Sequence, residues 1–206
     1  MAQNQIKMFD IRYRIKNAGP SPDDNRRTEL YFAGCEKAAS GSPCKNCFNS
    51  MLWQPENVLK KTPDEILVCL ERHNIPKFLT LVGGEPTDQL EGLLEFGRLA
   101  KEKGYHIILF SWHDKNWLEK NLKDGVHNFD IIVPGEYQEK QRIYDEDKDD
   151  GLHNAVGSAN QSVWITAHDT AISACIISSL KMTQEDSGRL FLEVTLDDGK
   201  TARFSQ

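Results

Sequence analysis

The chain has 206 residues, 39% of them hydrophobic and 27% charged, with a formal net charge of −6. That length and composition suit one globular domain with room for a proper core, with or without a short appendage. The acidic balance argues against a nucleic-acid partner, which needs a basic footprint, and no run approaches the ~18 apolar residues of a membrane span. The first residues contain no apolar leader segment, so a cytoplasmic protein is expected.

Taken in order, the first thirty residues alternate weakly and break at a stretch of turn chemistry, Asn17 to Arg27. Glu29–Ala33 reads as a short strand feeding Gly34 and Cys35. The loop that follows is rich in small and polar residues and predicts no regular element. Thr62, Pro63, Asp64 and Glu65 form a helix start, with Thr62 as cap and the helix running to about His73. Lys77–Val82 is a buried strand ending in Gly83-Gly84. Leu90, Leu93, Leu94, Phe96 and Leu99 fall at helical spacing between Asp88 and Lys103, and Gly104 closes that helix. His106–Ser111 is the next strand, 116–122 a short helix, and Asp130–Val133 another strand.

Strands alternating with helices predict parallel βαβ units, whose ligands bind beyond the carboxyl ends of the strands. Cys35, Gly83-Gly84, Ser111 and Pro134-Gly135 all follow strands, so they are expected at one edge. The acidic run at 144–154 reads as a solvated loop. Residues from about 165 read as a C-terminal extension with a β-hairpin around Asp198-Gly199.

Five cysteines without a secretion signal do not suggest disulfides. Cys69 and Cys175 sit in apolar runs and read as small buried hydrophobes. Cys35, Cys44 and Cys47, spaced Cys-x8-Cys-x2-Cys, read as ligands. Three thiolates can hold three irons of a cubane cluster and leave the fourth open. A zinc site wants four ligands in paired short spacings, and unliganded redox thiols remain a further possibility. Gly83-Gly84-Glu85-Pro86 after a buried strand offers close backbone approach and a carboxylate for an ammonium group, although a simple tight turn has the same sequence. The six histidines are scattered and read as structural or solvated, with His113, after a strand end, the candidate exception.

The cysteine loop followed by GGEP resembles the radical S-adenosylmethionine (SAM) superfamily. Within it, Cys47-Phe48-Asn49 with Trp53, Phe129–Tyr137 (FDIIVPGEY), Gly157–Gln161 (GSANQ) and Phe110-Ser111-Trp112 resemble segments of the glycyl-radical-enzyme activases. Among these, the segments resemble the anaerobic ribonucleotide reductase activating proteins. The stretch from Asn17 to Pro20 resembles a glycine-proline loop of the same branch.

The resemblance implies an incomplete parallel β/α barrel over residues 1–164, with residues 165–206 as the extension. It implies a [4Fe–4S] cluster on Cys35, Cys44 and Cys47, and SAM held by Gly83, Gly84, Glu85, Pro86, Ser111, Phe48, Asn160 and Gln161. The function implied is reductive cleavage of SAM to install a glycyl radical on a partner enzyme, with flavodoxin or ferredoxin as electron donor. The alternatives are a radical enzyme acting on a small molecule or peptide, as carboxy-deazaguanine synthases do, and a non-enzymatic metal-binding interaction module. Three departures stand out: five extra residues between Cys35 and Cys44, Ser50 in place of proline, and Ser162 in place of arginine.

Overall fold

The structure is a computed structural model that describes every residue except 1–3, 17, 23, 25, 146, 149 and 154. Asn17, the start of the expected glycine-proline loop, and Glu146, Asp149 and Asn154 of the acidic run therefore lie outside the described residues.

The chain is mixed α/β. Its elements are β1 (Ile6–Lys16), β2 (Arg26–Phe32), α1 (Glu36–Ala39), β3 (Leu59–Lys61), α2 (Pro63–Arg72), β4 (Phe78–Gly83), α3 (Leu90–Glu102), β5 (His106–Ser111), α4 (Lys115–Leu122), β6 (Ile131–Pro134), β7 (Ser162–Ile165), β8 (Thr170–Ser173), β9 (Ile177–Gln184), β10 (Leu190–Leu196) and β11 (Thr201–Ser205). The main sheet has the order β3-β1-β2-β4-β5-β6-β7-β8, and β11-β10-β9 form a second sheet. Four central strands, β2, β4, β5 and β6, run parallel. Antiparallel strands flank them on both sides.

Several local signals act as the sequence suggests. Thr62 and Glu65 form a reciprocal capping box, with Glu65 N–H donating to Thr62 Oγ1 at 3.3 Å and Thr62 N–H to Glu65 Oε2 at 2.8 Å. Gly104 closes α3 with φ +78°. That helix begins at Leu90 rather than Asp88, because Pro86–Gln89 first makes a 3₁₀ turn.

Period-two alternation divides the sheet between two cores. Leu30, Phe32, Leu79, Leu81, Ile107, Leu109 and Ile132 point to the face covered by the three longer helices. Ile108, Ile131, Val133, Val163 and Ile165 point the other way and pack on Leu180, Met182, Leu192 and Val194 of the second sheet. The extension is thus a layer of the molecule, and the expected hairpin, β10–β11, gains a third strand in β9. The main sheet continues through β8 to Ser173. The acidic run is less solvated than its charges suggest. Leu152 within it and Ala155 and Val156 just beyond are buried in the second core, and Leu180 N–H donates to Asp150 O at 2.8 Å.

Arg27 corrects the sequence reading, which placed it in a turn. It lies in β2 and is buried. Its guanidinium donates to Thr80 Oγ1 (2.9 Å), Pro20 O (2.7 Å), Leu79 O (2.6 Å) and His106 O (3.0 Å). A rigid fork of donors matched to carbonyls makes a buried arginine tolerable, although burial still lowers its pKa to about 9. Arg27 Nη2 also faces His106 Nδ1 at 3.1 Å. Arginine offers no acceptor to a proton on Nδ1, so the ring carries its proton on Nε2. A second proton on this ring would face a fixed cation, and burial together with Arg27 and Lys101 lowers the His106 pKa to about 4, against an opposing contribution from Asp130.

The sign follows by linkage. Between pH 6.5 and about 4 the unfolded chain binds a proton at His106 that the folded chain refuses. Stability is complete above pH 6.5 and falls as pH drops through that window, by up to about 3 kcal/mol from this group. Thermal melting from pH 7 to pH 4.5 should show this fall. His106→Gln, which keeps an acceptor for Arg27, should flatten the slope between pH 6.5 and 5.

Candidate metal centre

The three cysteines follow β2, as expected, but their loop is more ordered than its composition predicts. Cys35 caps the one-turn helix α1 in extended geometry. The backbone of Ala38 and Lys37 in that turn favours the Cys35 thiolate, against the burial that raises its pKa. The chain turns back through Gly41 N–H to Ala38 O (3.0 Å) and Ser42 N–H to Lys37 O (3.2 Å). Cys44 then comes near the backbone of Tyr137, beyond β6, which favours its thiolate against burial. Lys37 ties the same two segments together, with Nζ 3.4 Å from Glu136 Oε2 and 5.0 Å from the centre of the Trp112 ring. The extra residues therefore return Cys44 to the β6 edge under several restraints.

The GGEP segment is joined to the cysteine loop through backbone. Gly84 N–H donates to Phe32 O at 2.9 Å and Glu85 N–H to Gly34 O at 2.8 Å. The glycines make this approach possible. A Cβ on Gly84 would lie 1.8 Å from Gly34 O, and one on Gly83, where φ is +127°, would lie 2.3 Å from Phe32 O. Their close approach is to the neighbouring strand end, directly upstream of Cys35.

Glu85 is buried and already engaged. Oε1 accepts from Thr87 N–H (3.1 Å) and Thr87 Oγ1–H (2.6 Å), and Oε2 accepts from Trp112 N–H (3.0 Å). Burial raises its pKa to about 7 against those bonds. Glu85 thus links the ends of β4 and β5. Ser111 extends the link: its Oγ accepts from His113 N–H at 3.1 Å and its carbonyl from Gly135 N–H at 3.0 Å.

One cleft of about 260 Å³ is lined by Cys35, Cys44, Cys47, Gly83, Gly84, Glu85, Pro86, Ser111, Phe48 and Gln161. Ten of the eleven residues singled out from sequence meet there. Asn160 is exposed outside that lining and donates to Glu136 O at 2.8 Å. Gln161 braces the wall, accepting from Gly157 N–H (3.0 Å) and Ser158 N–H (3.1 Å) while donating to Gly135 O (2.7 Å). Phe48 is 44% exposed at the rim, 4.7 Å from the Tyr137 ring and 5.0 Å from that of Tyr144. His113 is stacked on Trp117 at 3.4 Å, and burial lowers its pKa to about 4, so it is a neutral aromatic strut. Cys69 is half-buried on α2. Cys175, expected to be buried, is exposed on a 3₁₀ turn beside Ser173.

A family model described as a 4Fe–4S single cluster domain matches residues 24–164, roughly two thirds of the chain. The chain belongs to that family. No curated protein matches the chain. The matched span of this 4Fe–4S domain runs from the turn before β2 into β7, enclosing the cysteine loop and every strand end that borders the cleft.

The donor set fits a cluster. Burial raises the pKa of Cys35 and takes that of Cys44 to about 12, with Glu136 and Cys47 adding to the second. Thiolates so placed need a strongly positive partner, which cluster iron provides. Among the described residues no three His, Cys, Asp or Glu side chains converge on a single ion. Three cubane ligands need not converge, because each binds a different iron.

Gly84→Ala tests the stitch between GGEP and the cysteine loop. Its methyl group cannot be placed without moving the Gly34 backbone, so a loss of roughly 3 kcal/mol in denaturant unfolding is expected. Iron bound per chain after reconstitution should fall with it.

Proposed function

We propose that the chain is a radical SAM enzyme. The observation that carries this reading is the common cleft, in which three thiols and the GGEP segment are held at the ends of parallel strands by the Phe32–Gly84 and Gly34–Glu85 bonds. Four parallel strands with a cleft beyond their carboxyl ends are also what an incomplete barrel of that superfamily presents. Cys35, Cys44 and Cys47 would hold the [4Fe–4S] cluster and leave one iron for the amino and carboxylate groups of SAM. When bound, the pair supplies one-electron cleavage of the sulfonium bond to methionine and a 5′-deoxyadenosyl radical, which takes a hydrogen atom from the substrate.

The chain's own groups position and shield. Backbone at Gly83–Glu85 is fixed by β2, and Glu85 and Ser111 hold β4, β5 and the Gly135 turn in register. Trp112 adds an indole Nε1–H that is buried without a partner among the described residues.

Installation of a glycyl radical on a partner such as anaerobic ribonucleoside-triphosphate reductase rests on the FDIIVPGEY and GSANQ likenesses. Gly135, Asn160 and Gln161 in those segments have bracing roles that account for them without a partner. The cleft favours the other substrate reading. Its rim carries the Phe48, Tyr137 and Tyr144 rings, and its lining reaches down β2 to Glu29, beyond the cysteines and GGEP. A small molecule suits it better than a folded protein's loop.

Anaerobic reconstitution, followed by dithionite and SAM and chromatography for 5′-deoxyadenosine, tests the chemistry. The native chain should form product, and Cys44→Ala should lose both the charge-transfer absorbance of the cluster and the product. Zinc bound stoichiometrically in place of iron would sink the reading.

A further inference from the structure

Alternation along β2 sends Leu30 and Phe32 into the helix-covered core and Glu29 and Tyr31 to the opposite face. There both line the same cleft as the cysteines. In the β2–β4 register Glu29 lies opposite Thr80, three residues before Gly83, or about 10 Å along the strand. The cleft therefore has two polar ends, the thiols and GGEP at one and Glu29 at the other. Between them its walls are largely apolar, formed by Val82, Phe110, Val156 and the ring of Tyr31.

Glu29 is under-used for a partly buried carboxylate. Tyr31 donates to its Oε2 at 2.8 Å. No other described residue hydrogen-bonds the side chain, although an ionised carboxylate accepts about four such bonds. Arg12, its cross-strand neighbour in β1, does not satisfy it. The Arg12 guanidinium lies 4.6 Å from the centre of the Tyr31 ring, and its Nε donates to Asp10 Oδ2 at 3.3 Å. Burial raises the Glu29 pKa, while Tyr31 and Arg12 pull it back. Nothing in the fold needs a carboxylate here, since Arg27 and Thr80 already bridge β2 to β4.

We propose that Glu29 and Tyr31 form a substrate anchor that takes the cationic or N–H-donating end of a small molecule with a flat apolar body. That body lies along the Val82 and Phe110 wall, and its far end reaches toward the cysteine loop. An amidinium or guanidinium is the best-matched head group, because its paired N–H donors can meet both carboxylate oxygens. The anchor deepens the small-molecule reading given above and rests on it, but binding at Glu29 can be measured without a cluster or SAM.

The test uses the full chain, as isolated and after reconstitution, with benzamidine as probe and the uncharged benzamide as its near-isostere, by titration calorimetry. The native chain should bind benzamidine about tenfold more tightly than benzamide, as one charge-assisted pair provides. Glu29→Gln should abolish that preference, Tyr31→Phe should reduce it, and Glu185→Gln in the β9–β10 turn should leave it intact. Where Glu29→Gln melts far below the native chain, Tyr31→Phe decides. Equal binding of the two probes by the native chain, or a preference that survives Glu29→Gln, overturns the anchor. Iron content and 5′-deoxyadenosine formation report on the radical chemistry separately, and Glu29→Gln should leave iron content unchanged.

Discussion

Two backbone hydrogen bonds, Gly84 N–H to Phe32 O and Glu85 N–H to Gly34 O, govern the site. They lie where β2 and β4 end, one residue before Cys35, and they continue the parallel ladder past the strands' last regular pair, Phe32 with Gly83. Everything on the cysteine side hangs from the β2 end of that ladder. Everything on the GGEP side hangs from the β4 end, including the 3₁₀ turn that Glu85 caps. No side chain can stand between them, since a Cβ at Gly84 would sit 1.8 Å from a carbonyl oxygen. Two glycines are therefore required whether or not a ligand is present, and any ligand contacts they make come in addition.

A second constraint comes from pleating. Each parallel strand sends alternate residues to opposite faces, and the helices claim one face along its whole length. The other face is shared. Its lower part is covered by the second sheet, against Phe78 and Ile108, while Glu29, Tyr31, Thr80, Val82 and Phe110 border open space above. The C-terminal extension thus sets the floor of the cleft without supplying residues to its lining. Arg27 marks the boundary, pinning the Ala18–Ser21 segment to β4 and β5 from below.

Much of this was legible in the sequence because local chemistry decided it. The Thr62 cap, Gly104, the β5 boundaries and the Asp198-Gly199 turn each follow from one or two residues whose preferences nothing overrides. The convergence of strand-end residues followed from parallel topology alone. What stayed hidden depended on distant partners. Arg27 reads as turn polarity until the carbonyls of Leu79 and His106, more than fifty residues away, are in view. Cys175 reads as core until the second sheet turns it outward. Glu29 carried no motif at all. It stands at the start of the expected strand Glu29–Ala33, and only its pairing with Thr80 in β4 and its place in the cleft give it a use.

The long cysteine spacing is where cost and compensation can be compared. Eight intervening residues, against the three of the pattern that the sequence resembles, raise the closure entropy of the loop by only about 0.9 kcal/mol. Against that stand the α1 turn, the Gly41 and Ser42 backbone bonds and the Lys37–Glu136 pair. Lys37 is mostly buried in that pair and lies over the Trp112 ring, so solvent screens it less than a surface lysine. Any one net hydrogen bond, worth about 1 kcal/mol, offsets the added entropy. The insertion therefore costs the cysteine loop little. It extends the loop across the cleft to β6, so that the thiols are held from two strand ends, β2 and β6, while the GGEP stitch closes the third side.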